Sequence, residues 1–164
     1  MPTGEIEVYA PQGRYSLIVR RIEAAGAGDL QARIEALKKK LGAEGLMDPS
    51  RKRALPFVPR AIGIATSPTG AALQDILRVL GQRFPGIPVF LSPCRVQGDR
   101  AASEIVEAIE RLVSHGRSDV IVIGRGGGSP EDLAAFSTEV VARAVAASPI
   151  PIVSAVGHEI DISI

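Results

Sequence analysis

Val120-Ile121-Val122-Ile123-Gly124-Arg125-Gly126-Gly127-Gly128-Ser129 passes from four β-branched apolar residues straight into a glycine-rich turn. A strand that is apolar at every position, rather than at alternate ones, is buried on both faces, as in a parallel sheet. Working outward, the same pattern recurs. Residues 61–65 and 87–91 read as strands before it, and residues 151–156 as a strand after it. Helical spacing fills the gaps. Ser67 caps and Pro68 opens a helix running to about Arg83. A second helix, from about Arg100 to His115, carries Ile105, Ile109 and Leu112, and a third runs from Pro130 to about Ala147. Alternating strands and helices over residues 60–164 predict an α/β domain: an open, mostly parallel sheet with helices on both faces.

The segment before residue 60 has a different character. Residues 1–23 contain two β-rich runs around Pro11-Gln12-Gly13, a partial β unit too small to stand alone. In residues 24–59, Asp29 caps a helix with Leu30, Ile34, Leu37 and Leu41 on one face and Gly42 as its stop. A connector holding Pro49, Pro56 and Pro59 follows.

Composition excludes several classes. The chain has 164 residues, 46% hydrophobic and 23% charged, which is the make-up of a globular protein and not of a disordered one. No apolar run approaches a bilayer span, no signal-peptide pattern opens the sequence, and Cys94 stands alone, so a cytoplasmic protein with no membrane association is expected. A net charge of +1 argues against a nucleic-acid partner until it is divided along the chain. Residues 33–60 hold eight basic and three acidic side chains, a local +5; residues 99–164 hold five basic and ten acidic, a local −5.

In an open parallel sheet ligands bind beyond the carboxyl ends of the strands, which gathers residues 66–70, 94–99, 124–129 and 157–161 at one edge. Three of these carry distinctive chemistry. Gly126, Gly127, Gly128 and Ser129 offer close backbone approach and N–H groups to an anion, with Ser67 nearby and Arg125 as a bidentate phosphate ligand. Ser129-Pro130-Glu131-Asp132 is equally a helix-capping sequence, which would account for Ser129 and Asp132 but not for the glycines. No Walker lysine follows, and the run is not a dinucleotide fingerprint. His158 can move a proton near neutral pH, and Asp161 shares its face if the segment is helical. Asp75, the sole acid between residues 49 and 98, either faces solvent or turns to the sheet edge and orients His158 or Arg125. No set of residues has metal-ligand spacing; magnesium is admitted but no ligand cluster supports it, so no cofactor is required.

These motifs occur in an order that resembles a known family. Glu44-Gly45-Leu46, Leu55-Pro56, Ile62-Gly63-Ile64, Thr66-Ser67, Gly70-Ala71-Ala72 with Asp75, Val96-Gln97-Gly98, the Gly124 to Ser129 run, Glu131-Asp132-Leu133, Phe136 and Gly157-His158-Glu159 with Asp161 together resemble the large subunit of bacterial exodeoxyribonuclease VII. The resemblance implies a nuclease that degrades single-stranded DNA from either end to short oligonucleotides. It implies an OB-fold-like identity for residues 1–23, catalytic roles for Asp75, Arg125, His158 and Asp161, and a small-subunit partner bound through a helical C-terminal region outside this sequence. Ala134 and Ser137 replace the family's usual Trp and Asn, Met47 its Phe and Ser163 its Thr. A chain cut at both ends is expected. Two other readings stay open: a non-catalytic nucleic-acid-binding fragment, and a small-molecule enzyme holding a nucleotide phosphate at the glycine loop.

Overall fold

Burial of apolar residues on both faces draws four strands into one parallel sheet. A computed structural model describes residues 2–9, 14–22, 27–128 and 130–157, with side chains over 29–128 and 132–157. The strands are β3 (Ile62–Thr66), β4 (Val89–Pro93), β5 (Val120–Arg125) and β6 (Ile152–Val156), in the order β4-β3-β5-β6, all parallel. Ahead of them β1 (Pro2–Tyr9) and β2 (Arg14–Ile22) form an antiparallel hairpin with a register shift at Thr3/Gly4.

Two apolar clusters show how the sheet is covered. On one face α2 (Ala71–Arg83) sets Leu73, Ile76 and Leu80 against Ile62, Ile64 and Val120. On the other, α3 (Ala101–His115) and α5 (Glu139–Ala147) bury Ile105, Ile109, Leu112 and Val141 against Ile121 and Ile123. Each of the fully buried side chains contributes roughly 1.5–3 kcal/mol through its removal from water, and the half-buried Ile76 and Leu80 contribute less. Helices therefore cover both faces, as the alternation of elements predicts. The exception is β6, the last strand in the order, whose Val153, Ser154 and Ala155 remain exposed.

Several boundaries differ from the sequence reading, each for a local reason. Helix α1 (Ala27–Ala43) starts before Asp29, which forms an ion pair with Arg33 at 2.7 Å inside the first turn instead of capping it. Strand β4 is displaced two residues toward Pro93, because an edge strand tolerates a proline that lacks an N–H. Helix α2 begins at Ala71 and not at Pro68: the Gly70 N–H donates to Ser67 O, closing a turn first. The expected helix over 130–147 is broken into α4 (Pro130–Leu133), a 3-10 turn (Ala134–Ser137) and α5. Phe136 is drawn into the core there, and the Thr138 hydroxyl donates back to Ala135 O at 3.0 Å, with Thr138 itself extended.

Among the described residues, the segment before β3 reaches this unit through α1 and through Arg60. Leu41 of α1 is buried, and Lys40 and Glu44 make ion pairs with Glu139 and Arg143 of α5 at 2.8 Å. At the amino edge of the sheet Arg60 grips Asp119 through its backbone N–H (2.7 Å), Nε (3.1 Å) and Nη2 (2.9 Å). Those hydrogen bonds hold the Asp119 carboxyl well below its ordinary value, at about 2.

Two outcomes are expected of these contacts. A Cβ on Gly124 would lie 2.5 Å from Ala155 O, so Gly124→Ala must push β6 from β5; a loss of about 1–3 kcal/mol is expected, read as a lower urea midpoint at unchanged m. Because the Asp119 pKa is depressed on folding, its contribution is complete above 3.8 and fades as pH falls toward about 2. Asp119→Asn should lower the melting temperature at neutral pH, and the gap to wild type should close across that acid window.

Candidate functional site

Strand order places the site. From β3 the chain winds outward to β4, then returns past β3 to β5, so the connections after β3 and β5 leave toward opposite faces. A crevice opens between such strands at their carboxyl ends. Here it is a cleft of about 500 Å³. Thr66 and Ser67 border it from β3, Arg95 and Gln97 from the loop after β4, and Arg125, Gly126 and Gly127 from β5. A larger groove of about 580 Å³ lies elsewhere, between the connector and α5, with an apolar floor that includes Leu41, Val145 and Ile152. It brings together none of the candidate catalytic residues.

Hydrogen bonds join the strands at the floor of the cleft. Buried Thr66 donates its hydroxyl to Gly124 O at 2.7 Å, joining β3 to β5 at their last residues, and the Cys94 N–H donates to Thr66 O at 3.1 Å. Cys94 is itself buried, and desolvation pushes its thiol up to about 11.

Arg125 ends β5 with only 12% of its side chain exposed. Its Nη1 donates to Asp132 O at 2.9 Å, and Nη2 lies 3.4 Å from the Asp132 carboxylate. The glycine loop folds over the guanidinium so closely that a Cβ on Gly128 would sit 2.7 Å from Nη2 and 3.0 Å from Cζ. Gly126 is different. Nothing among the described residues lies within 4 Å of a Cβ built there, so internal packing does not require a glycine at that position.

The other expected site residues divide as follows. Ser67 reaches the cleft, with its hydroxyl 3.5 Å from Thr69 Oγ1. Asp75 lies on α2, 67% exposed and paired with Arg78 at 2.9 Å, and it does not line the cleft. Ser129, His158 and Asp161 fall outside the described residues. The described chain reaches this edge with Val156 paired to Arg125 and the Gly157 N–H donating to Arg125 O at 3.3 Å; His158 is the next residue in the sequence. Among the described residues no three His, Cys, Asp or Glu side chains come together to hold a metal ion.

Residues 46–164 match the family described as exonuclease VII, large subunit. The chain belongs to that family. It is 57% identical over 161 residues to the exodeoxyribonuclease 7 large subunit of Syntrophotalea carbinolica, covering 98% of this chain and 40% of that protein. Against the large subunits of Desulforudis audaxviator and Geobacillus kaustophilus the identities are 55% and 54%, covering 98% of this chain and 40% and 36% of theirs. The chain thus spans about two fifths of the length of the curated relatives it matches. None of its helices, among the described residues, is long and apolar enough to cross a membrane.

Sequence reasoning missed the hold that Asp132 has on Arg125, having read Asp132 as part of a helix cap and as a charge that would repel a phosphate on the helix axis, and it overlooked Arg95. The available signal for Arg95 was position alone, in a loop directly after a strand. Gly128→Ala should dislodge the Arg125 guanidinium while leaving the sheet intact. Phosphate-dependent binding or turnover is expected to fall at least about tenfold with little change in melting temperature, as measured by titration and thermal unfolding of the same preparation.

Proposed function

We propose that this chain is the phosphodiester-cleaving part of an exodeoxyribonuclease large subunit, acting on single-stranded DNA from its ends to release short oligonucleotides. The observation that carries this is the cleft at the switch point, bordered by two guanidiniums whose partner carboxylates, Asp132 and Glu104, do not themselves line it. This cation-lined space is made partly by the most acidic third of the chain, which suits a polyanion.

In this reading Arg125 and the N–H groups of Gly126 and Gly127 bind the scissile phosphate and stabilise the charge that develops on its oxygens. The openness around Gly126 leaves room for the phosphate to approach the backbone. Ser67 and Ser129 add hydroxyl donors, and Gly128 provides the space in which Arg125 is held. His158 activates water or protonates the leaving oxygen, and Asp161 orients it. Asp75 takes that orienting role only by leaving Arg78, at small cost, because an exposed ion pair contributes about 0–1 kcal/mol. The proposal extends to a cytoplasmic enzyme that requires no metal and assembles with a small subunit through sequence beyond this chain.

The test uses the full-length subunit with its small subunit and end-labelled single-stranded DNA. Arg125→Ala and His158→Ala should each lower kcat by about 10²–10³ or more while the protein stays folded and still binds DNA. Near-normal turnover in either variant would overturn the assignment. Product formation in EDTA would support hydrolysis without a metal.

A further inference from the structure

Arg125 accounts for one phosphate, yet the cleft is several times larger than a phosphate group and has a second guanidinium at its border. That residue, Arg95, leaves the end of β4, whereas Arg125 ends β5, and β3 runs between them. Two strand spacings, about 10 Å, separate the two strand ends. The two cations are also restrained separately. Arg125 is held by Asp132, and Arg95 by Glu104 of α3, which accepts from the Arg95 N–H at 2.8 Å and lies 3.5 Å from its Nε. Neither guanidinium shares the other's carboxylate. The backbone of the β4 loop is therefore pinned while the Arg95 side chain stays 66% exposed at the cleft border, with Gln97 two residues further on.

We propose that Arg95, with the Gln97 amide beside it, forms a second phosphate subsite that holds the nucleotide adjacent to the one at Arg125. The inference rests on the reading of the cleft as a single-stranded DNA site, and it assigns the two arginines different work. The nearly buried Arg125 meets the reacting phosphate in a restrained geometry. The exposed Arg95 meets a neighbouring phosphate that does not react, so its contribution is binding, screened by salt. A free monophosphate fills one subsite; a strand with consecutive phosphates fills both.

The experiment measures anisotropy of a fluorescein-labelled oligothymidylate with the full-length subunit across a salt series, together with steady-state cleavage of the same oligonucleotide. Arg95→Gln should weaken binding about tenfold and reduce the slope of log K against log salt by about one. It should raise KM in proportion and leave kcat and the melting temperature unchanged. Arg95→Lys keeps the charge and should restore the slope. Arg117→Gln, which removes a cation stacked on Phe90 outside the cleft, should bind as wild type does. Wild-type affinity and slope in Arg95→Gln would overturn the subsite, as would a fall in kcat at unchanged KM. If the wild-type subunit, assayed together with its small subunit, cleaves no oligonucleotide, the cleavage reading fails, and the anisotropy series still decides whether Arg95 binds a phosphate.

Discussion

The hydroxyl of Thr66 donating to Gly124 O joins two strands that are neighbours in space but 58 residues apart in sequence. Everything functional depends on that adjacency. Because β5 lies beside β3 and not beside β4, the chain reverses direction between them and the connecting segments part. A sheet in simple sequential order would have carried its connections to one side and left no crevice at this point. The close approach continues to β6, where Gly124 passes Ala155 with no room for a side chain. A buried hydroxyl and an absent methyl group thus decide where a ligand fits.

Arg125 extends the same principle to charge. A free arginine on a loop samples many rotamers, and bringing it to a phosphate costs entropy. Here Asp132 and the Gly128 backbone restrict it before any ligand arrives. Asp132 also offsets its charge, so the surface at this edge is less cationic than the residue count suggests. The arrangement favours geometric precision over raw attraction at Arg125 and leaves long-range attraction to more exposed cations.

Strands and helices were legible where burial alone determines them. Val120 to Ile123 and residues 61–65 are apolar throughout because helices cover both their faces, and a short, β-branched run of that kind fits little except a covered strand. Boundaries were less legible where a breaker residue had a local remedy. Ser92 and Pro93 end a typical strand but not one at a sheet edge, and Pro68 opens a helix only if no turn intervenes, whereas the Gly70 N–H bonded to Ser67 O supplies that turn. Within the site, residue types and the strand edge they occupy were readable, and Ser67, Arg125, Gly126 and Gly127 line one cleft. Their pairing was not readable. The partner of a guanidinium depends on how a loop folds back, and the bond to Asp132 arises from the course of residues 126–132, which no periodicity encodes. Asp75 shows the complementary difficulty: its helix was clear, but which way a lone acid points on it depends on Arg78 one turn later.

The chain's one thiol sits behind the floor of this cleft. Cys94 follows β4 and is buried, and desolvation pushes its thiol up to about 11, which favours the protonated form near neutral pH. Only the thiolate reacts readily with oxidants and alkylating agents, so the sulfur nearest the strand ends is chemically quiet.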